Sequence, residues 1–464
     1  MIESGANPTP RWVRPATIFL WLLAAAGLVC VASALFVAVP RVNEGWNAVH
    51  ALHAVTRPNL YLFDGYANFP NYPPLAFYPA GWLGMLLGDM IFSGRLLAMA
   101  GMAVIAVNVG LAARHLNAPA YLAVGLYVVL TLGMAHYYVG SSDPQFMGHA
   151  LQTVALPLLL GRRTAPAIAA AALLCVLGGL VKLNLIALPL AATLWLALID
   201  RRALVTWLVT AISASAAAVV CCYLAFGTAV FAQVLGHERI YDLSLIGGSI
   251  RWMGGYLPLA VAGLVLAVRR RRDPNTLLLG LYLATAIIAG VLFASGLGVN
   301  LNTYFDMGIA SAPLGVAAIF QLRRKARVIT LAFVGVAVVY LTLGTAPIYL
   351  SRLNASAEAP TYVEAVRTLA GASDPVLCDD LALCYWAGKE SILDRSNTAQ
   401  KLLRGPAAVA AFEASLAANP PATMQFDPSG GGIVGRSIST IAGDYHVIRE
   451  PPIMILARNA TAGE

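Results

Sequence analysis

Three acidic or basic positions interrupt long apolar stretches where spanning a bilayer does not require them, so their chemistry is worth asking about first. Glu44 stands in Asn43-Glu44-Gly45-Trp46, a few residues beyond the first apolar run. Beside aromatic residues at a bilayer edge, a carboxylate could take a proton from an attacking hydroxyl as general base. An interfacial charge marking a helix end accounts for it equally well. Asp143 lies in Ser141-Ser142-Asp143-Pro144, a sequence that reads as a helix start with a capping side chain ahead of proline. Capping leaves a carboxylate free to bond a sugar hydroxyl as well. Lys182, one of four lysines, breaks an apolar stretch together with Asn184. Its ammonium could snorkel to the interface or meet a lipid-linked phosphate as a point charge.

Other polar positions fall on the same side of the chain's topology. Asn71-Tyr72-Pro73-Pro74-Leu75 is a rigid turn whose prolines mark a helix start. His237, Glu238, Arg239, Asp242 and Arg251 occupy a loop of about 27 residues, a length often used for lids. Asp64, Asn302, Tyr304 and Asp306 join them. His50 and His53 stand three apart on one helix face and, with Glu44, could ligate a metal; a solvated polar face explains the pair more simply. A divalent metal is therefore not indicated. Walker, dinucleotide, paired-cysteine zinc and Gly-x-Ser-x-Gly signatures are absent from the sequence.

The elements that must position these residues are membrane helices. Hydrophobic residues make up 59% of the 464 and charged ones 11%, with mean hydropathy +0.73. A water-soluble domain carries about 25% charge, so this chain has another solvent. The net charge of +8 does not point to nucleic acid, because the basic residues sit in short clusters at the ends of apolar runs: Arg162-Arg163, Arg201-Arg202, Arg269 to Arg272, and Arg323 to Arg327. Clusters at alternate loop ends mark the cytoplasmic side. About eleven spans follow, at 17–39, 95–113, 119–139, 145–160, 165–181, 185–199, 203–226, 254–268, 276–294, 305–321 and 328–346. The N-terminus is then cytoplasmic. The first run is too long for a signal-peptide core and is retained as a helix. Residues 40–94 form a long external loop, in which 75–91 and the Trp46–Val55 segment read as two helices lying along the membrane.

Texture changes after Leu350. Residues 351–464 read as a small α/β domain on the external, periplasmic face, against a membrane domain of 1–350. Helices are expected at 363–370 and 381–387, and strands at 375–378, 424–426, 445–448 and 453–457, with Gly430 to Gly432 as a loop. Cys378 and Cys384 are compatible with a disulfide in an oxidising compartment and equally with two unpaired core thiols.

Taken in order, Asn43-Glu44-Gly45-Trp46, Asn71-Tyr72-Pro73-Pro74-Leu75, Ser142-Asp143-Pro144 and Lys182 at a span's end resemble the GT-C superfamily of membrane glycosyltransferases. The resemblance is nearest to bacterial relatives of protein O-mannosyltransferases and of the lipid A aminoarabinose transferase. Residues 298–306 and 379–394 resemble a loop and the tail domain of these relatives. The resemblance implies a bacterial inner-membrane enzyme that takes a sugar from a polyprenyl-phosphate donor and transfers it, on the outer face, to a lipid, glycan or protein acceptor. It implies Glu44 and Asp143 as catalytic positions. Lys182, Tyr72, Asn184, His237, Arg239, Arg251, Tyr304 and Asp306 become candidate substrate contacts. Tyr72 stands where the aminoarabinose transferases have lysine, and Glu44 where the first acidic residue is aspartate. A transporter or lipid flippase is the competing class; it calls for internal repeats, and none is seen.

Overall fold

The computed structural model describes residues 12–62, 69–236, 239–426 and 432–459. Asp64, His237 and Glu238 lie outside the described residues. So do Gly430 and Gly431 of the glycine loop.

Each expected span corresponds to a helix. Six among the described residues are long and apolar enough to cross a bilayer: Val13–Ser33, Met90–His115, Arg201–Phe226, Pro274–Ala294, Leu301–Gln321 and Arg324–Leu353. A seventh is a pair bent by 87°, Ser244–Met253 with Leu257–Arg269. The remaining four, Ala120–Met134, Gln145–Leu160, Ala165–Val181 and Ala187–Ile199, are 13 to 17 residues long. At 1.5 Å per residue these reach only about 20–26 Å, short of a hydrocarbon core of about 30 Å. The number of full crossings by length is thus smaller than the expected eleven. Two of the short helices give up their ends to polar turns: Asp143 precedes one, and Lys182 terminates another.

Helix Phe305–Gln321 is the axis of the membrane domain. Its span is 94% buried, and it packs against the helices 90–115, 120–134, 257–269 and 274–294. Asp89, Asp200 and Asp273 cap the helices that follow them by accepting backbone N–H groups, which offsets part of the cost of bare helix ends.

The first long loop, residues 40–94, does contain two helices, Glu44–Thr56 and Tyr78–Leu87. The second ends earlier than expected, at Gly88, whose φ of +84° suits a residue without Cβ and reverses the chain into Met90–His115. Trp82, Met85, Leu86 and Leu87 are exposed on it, the apolar outer face an interfacial helix needs. Helix Glu44–Thr56 is different: it is buried rather than lying on a surface.

What covers it is the C-terminal domain. A break at Asn354 separates helix Arg324–Leu353 from Ala355–Ala370. Beyond it stand four strands, β1 (Val376–Cys378), β2 (Thr423–Gln425), β3 (Tyr445–Arg449) and β4 (Ile455–Arg458), in the order β1-β2-β4-β3. The β1–β2 pair is parallel and the other two pairs are antiparallel. Leu377, Leu402, Phe412, Met424 and Ile438 form the core between the sheet and helices Arg395–Leu402, Pro406–Ala418 and Ile433–Ser439. Cys378 and Cys384 are joined as a disulfide. Helix Leu381–Trp386 packs directly on Glu44–Thr56. A Cβ at Gly45 would stand 2.0 Å from the Ala382 nitrogen, so only glycine admits this approach. Trp386 Nε1 donates to Asp89 Oδ2 at 2.8 Å, and the Met90 N–H to the Tyr385 hydroxyl at 2.7 Å, fastening the same interface.

Candidate active site

Glu44 begins its helix just after Asn43, whose φ of +66° turns the chain sharply. Its carboxylate is fully buried and fully used. Oε1 accepts from Arg95 Nε at 2.8 Å and from the Ser142 N–H at 2.9 Å; Oε2 accepts from Arg95 Nη2 at 2.6 Å and from the Arg41 N–H at 3.0 Å. Arg95 is equally buried and spends its other hydrogens on the carbonyls of Leu35, Val37 and Val39 at 2.7–3.0 Å. A bidentate pair of this kind binds firmly and directionally. It ties together the end of the first helix, the first loop, the start of Met90–His115 and the Ser142 turn. Glu44 lines neither of the two large cavities described below. To receive a substrate proton it would have to release Arg95 within a dry interior. In this structure Glu44 braces these elements, its carboxylate occupied by Arg95, Arg41 and Ser142. Arg95, five residues into helix Met90–His115, was not singled out from the sequence; once buried, an arginine demands a partner.

The larger cavity, about 880 Å³, opens where the ends of the membrane helices meet the C-terminal domain. Asp143, Lys182, Tyr72, Asn184 and Arg239 all line it, so five of the candidate positions come together. Asp143 holds a helix start and also lines the cavity; its Oδ1 accepts the Gln145 N–H at 2.8 Å. Lys182 sits at the end of Ala165–Val181 with its Nζ 4.7 Å from the centre of the Tyr72 ring, a cation–π contact. The Asn184 side-chain oxygen is buried with no hydrogen-bond partner among the described residues. Arg239 is held by pairing of its own loop to the chain after Pro274–Ala294: the Leu297 N–H donates to the Ile240 carbonyl at 2.8 Å, and the Asp242 N–H to that of Ser295. From the other side come Asp394, Ser396, Asn397, Gln400 and Arg436 of the C-terminal domain, of which the sequence reading reached only Asp394, at the end of the 379–394 stretch.

Three candidates lie elsewhere. Arg251 is exposed and lines neither cavity. Tyr304 is buried, its hydroxyl 3.3 Å from Ser249 Oγ. Asp306 is buried beneath the cavity floor, accepting from the Tyr282 hydroxyl and standing 3.4 Å from His149 Nδ1. His149 Nε2 meets Gln145 Nε2 at 2.9 Å, and the Gln145 side-chain oxygen accepts from Asn302 Nδ2 at 3.3 Å. Asp306 thus reaches the cavity through a polar chain that ends on Asn302, which does line it.

His50 and His53 do not form the solvated face expected of them. His50 is enclosed with Trp46 and Phe77, and His53 faces Glu390 of the C-terminal domain at 3.5 Å. Burial, reinforced for His50 by His53 and for His53 by Arg57, holds both imidazoles below their ordinary range, His53 at about 4. The described residues contain no group of three or more metal-ligating side chains.

A second cavity of about 550 Å³ adjoins the first, with Asn43, Trp46, Asp394 and Ser396 as the shared wall. Trp46 Nε1 donates to Asp394 Oδ2 at 2.8 Å and closes that wall. Arg41, Arg352, Glu358, Asp379 and Asp380 line the second chamber. Asp379 is paired with Arg395. Asp380 is pushed up to about 6 by burial, with Glu44 and Asp379 adding repulsion.

No family model and no curated protein matches this sequence. Solved structures do. Apo ArnT from Cupriavidus metallidurans, 16% identical, superposes with a TM-score of 0.63 over 96% of this chain and 99% of its own. ArnT from the same organism bound to undecaprenyl phosphate, 15% identical, gives 0.60 over the same shares. The fold is therefore that of ArnT across nearly the whole chain, C-terminal domain included, as the resemblance of the first-loop motifs implied.

Proposed function

We propose that this chain is an integral membrane glycosyltransferase that moves a sugar from a polyprenyl-phosphate donor to a lipid, glycan or protein acceptor. The reaction would take place on the periplasmic face of a bacterial inner membrane. One observation carries this reading: a cavity at the membrane domain's polar end holds Lys182 and Arg239 together with the carboxylate of Asp143, in a fold shared with a protein solved with undecaprenyl phosphate. The Cys378–Cys384 disulfide favours an oxidising compartment for the C-terminal domain and so supports the proposed orientation.

In this reading the acceptor oxygen attacks the anomeric carbon from the face opposite the phosphate. The bond from that carbon to the phosphate oxygen breaks, and its electron pair leaves on the phosphate. Lys182 and Arg239 balance the charge that grows there; fixed cations in a poorly hydrated cavity are most effective at that moment. Asp143 takes the acceptor's proton. Glu44, locked to Arg95, holds the Ser142 backbone and thereby the turn that presents Asp143.

The test is release of polyprenyl phosphate from a labelled donor by the purified full-length protein with native membrane lipids as acceptor. Turnover that falls in Asp143→Asn while donor binding persists supports the assignment. Unchanged turnover in that variant removes Asp143 from the chemistry.

A further inference from the structure

A lysine ammonium sits on a long, flexible stem, so it acts as a fixed charge only where its surroundings hold it. Lys182 is held by an aromatic face: its Nζ stands 4.7 Å from the centre of the Tyr72 ring. Tyr72 is fixed in turn. Its carbonyl accepts from the Tyr61 hydroxyl at 2.9 Å, and its ring stacks on Phe77. The Trp46 indole meets the same ring edge to face, with the ring centres 5.0 Å apart.

Trp46 has a single polar side-chain atom, and a buried indole N–H needs an acceptor. That acceptor comes from the C-terminal domain: Asp394 Oδ2, at 2.8 Å. Asp394 is also the cap of helix Arg395–Leu402, but the cap uses Oδ1, which accepts the Asn397 N–H at 3.1 Å. Capping therefore does not account for the place of the second oxygen against the indole. Asn397 ties the same helix to the chain beside Tyr72, accepting from Asn71 Nδ2 and donating to the Phe69 carbonyl, each at 3.5 Å. A line of contacts thus runs from the C-terminal domain to the ammonium, through Asp394, Trp46, Tyr72 and Lys182. All four residues line the larger cavity, and Asp394 and Trp46 are buried. Away from bulk water their charge-assisted hydrogen bond gains strength and direction.

Resting on the glycosyltransferase reading, we infer that Asp394 and Trp46 are positioning residues for the donor. Through Tyr72 they fix the Lys182 ammonium at the place where the phosphate of a polyprenyl-phosphate sugar binds. The C-terminal domain then helps to build the donor site, and neither residue has to touch the donor.

Titration of bare polyprenyl phosphate into the full-length protein in lipid nanodiscs tests this, in the wild-type and Lys182→Gln backgrounds. Trp46→Phe keeps an aromatic ring against Tyr72 and removes the N–H. Asp394→Ser keeps a good helix cap and shortens the side chain by one atom, withdrawing it from the indole. Each should weaken binding about three- to tenfold in the wild-type background and leave it nearly unchanged in Lys182→Gln. A role confined to stability would not tell the backgrounds apart, because unfolded protein lowers the fitted stoichiometry and leaves the Kd of the folded fraction. Equal losses in both backgrounds, no loss in either, or a Kd untouched by Lys182→Gln itself overturns the inference and leaves the glycosyltransferase reading standing. No binding of polyprenyl phosphate by the wild type overturns that reading, and the inference with it.

Discussion

Replacing Glu44 by glutamine separates its two roles. The substitution keeps the size of the side chain and an acceptor oxygen, but removes the charge that balances Arg95, both groups being 0% exposed. Leaving one member of a buried ion pair uncompensated costs about 3–5 kcal/mol. Arg95→Met should cost a similar amount. Glu44 would keep only the Arg41 and Ser142 N–H groups, and three carbonyls of residues 35–39 would lose their donors. Because the two side chains bond each other twice, the double variant should be less destabilised than the sum of the singles. A coupling energy of about 2–3 kcal/mol is expected. Unfolding free energies of the four proteins in detergent, from SDS titration, measure it. Turnover in Glu44→Gln should then follow the loss of folded protein. Two results would refute the reasoning: a coupling below about 0.5 kcal/mol, or a Glu44→Gln protein of wild-type stability whose turnover drops 10²–10⁴-fold (roughly the value of a general base). The second would return Glu44 to the role its sequence motif suggests.

Further outcomes follow from the same geometry. Lys182→Gln should weaken binding of bare polyprenyl phosphate by about 10–100-fold, the value of a hydrogen bond to a charged group, measured by titration in nanodiscs. Asp380 sits above its unfolded range in the folded state, so the folded protein binds the extra proton between about pH 4 and 6, and stability falls as pH rises through that window. A rise from 3.8 to about 6 corresponds to about 3 kcal/mol lost by neutral pH. Asp380→Asn keeps the cap on the Ala382 N–H and should be the more stable protein at pH 8 but not at pH 4, by thermal unfolding. Gly45→Ala forces a Cβ to within 2.0 Å of the Ala382 nitrogen and 2.3 Å of the Leu381 carbonyl carbon. Backbone cannot give way cheaply there, so the C-terminal domain should lift from the first loop and become a target for limited proteolysis.

The helices were legible because hydrophobic runs and arginine clusters report the bilayer directly. Several tail elements were legible from local texture, including helix Leu381–Trp386 and all four strands to within two residues. Local texture failed where the deciding partner is remote. His50 and His53 read as a solvated face because nothing near them in sequence shows that the chain returns some 330 residues later to cover them. The pairing of Glu44 was not legible because its motif does not contain Arg95, 51 residues away. Helices Pro406–Ala418 and Ile433–Ser439 passed unnoticed: the first is alanine-rich with little contrast between its faces, and the second is only seven residues long. Helix Arg395–Leu402 was missed as well, and with these elements went Gln400 and Arg436 of the cavity lining. Asp143, Lys182 and Tyr72 were found because their polarity is anomalous in an apolar neighbourhood.

In the proposed reaction the cavity between the membrane helices and the C-terminal domain transfers a sugar from a polyprenyl phosphate with Asp143 as base. Single-turnover release of polyprenyl phosphate from a pre-bound labelled donor, comparing wild type with Asp143→Asn at equal occupancy, tests it most directly. The wild type should release polyprenyl phosphate, and the variant should do so at a rate lowered by about 10²–10⁴-fold. Equal rates in the two proteins would contradict it.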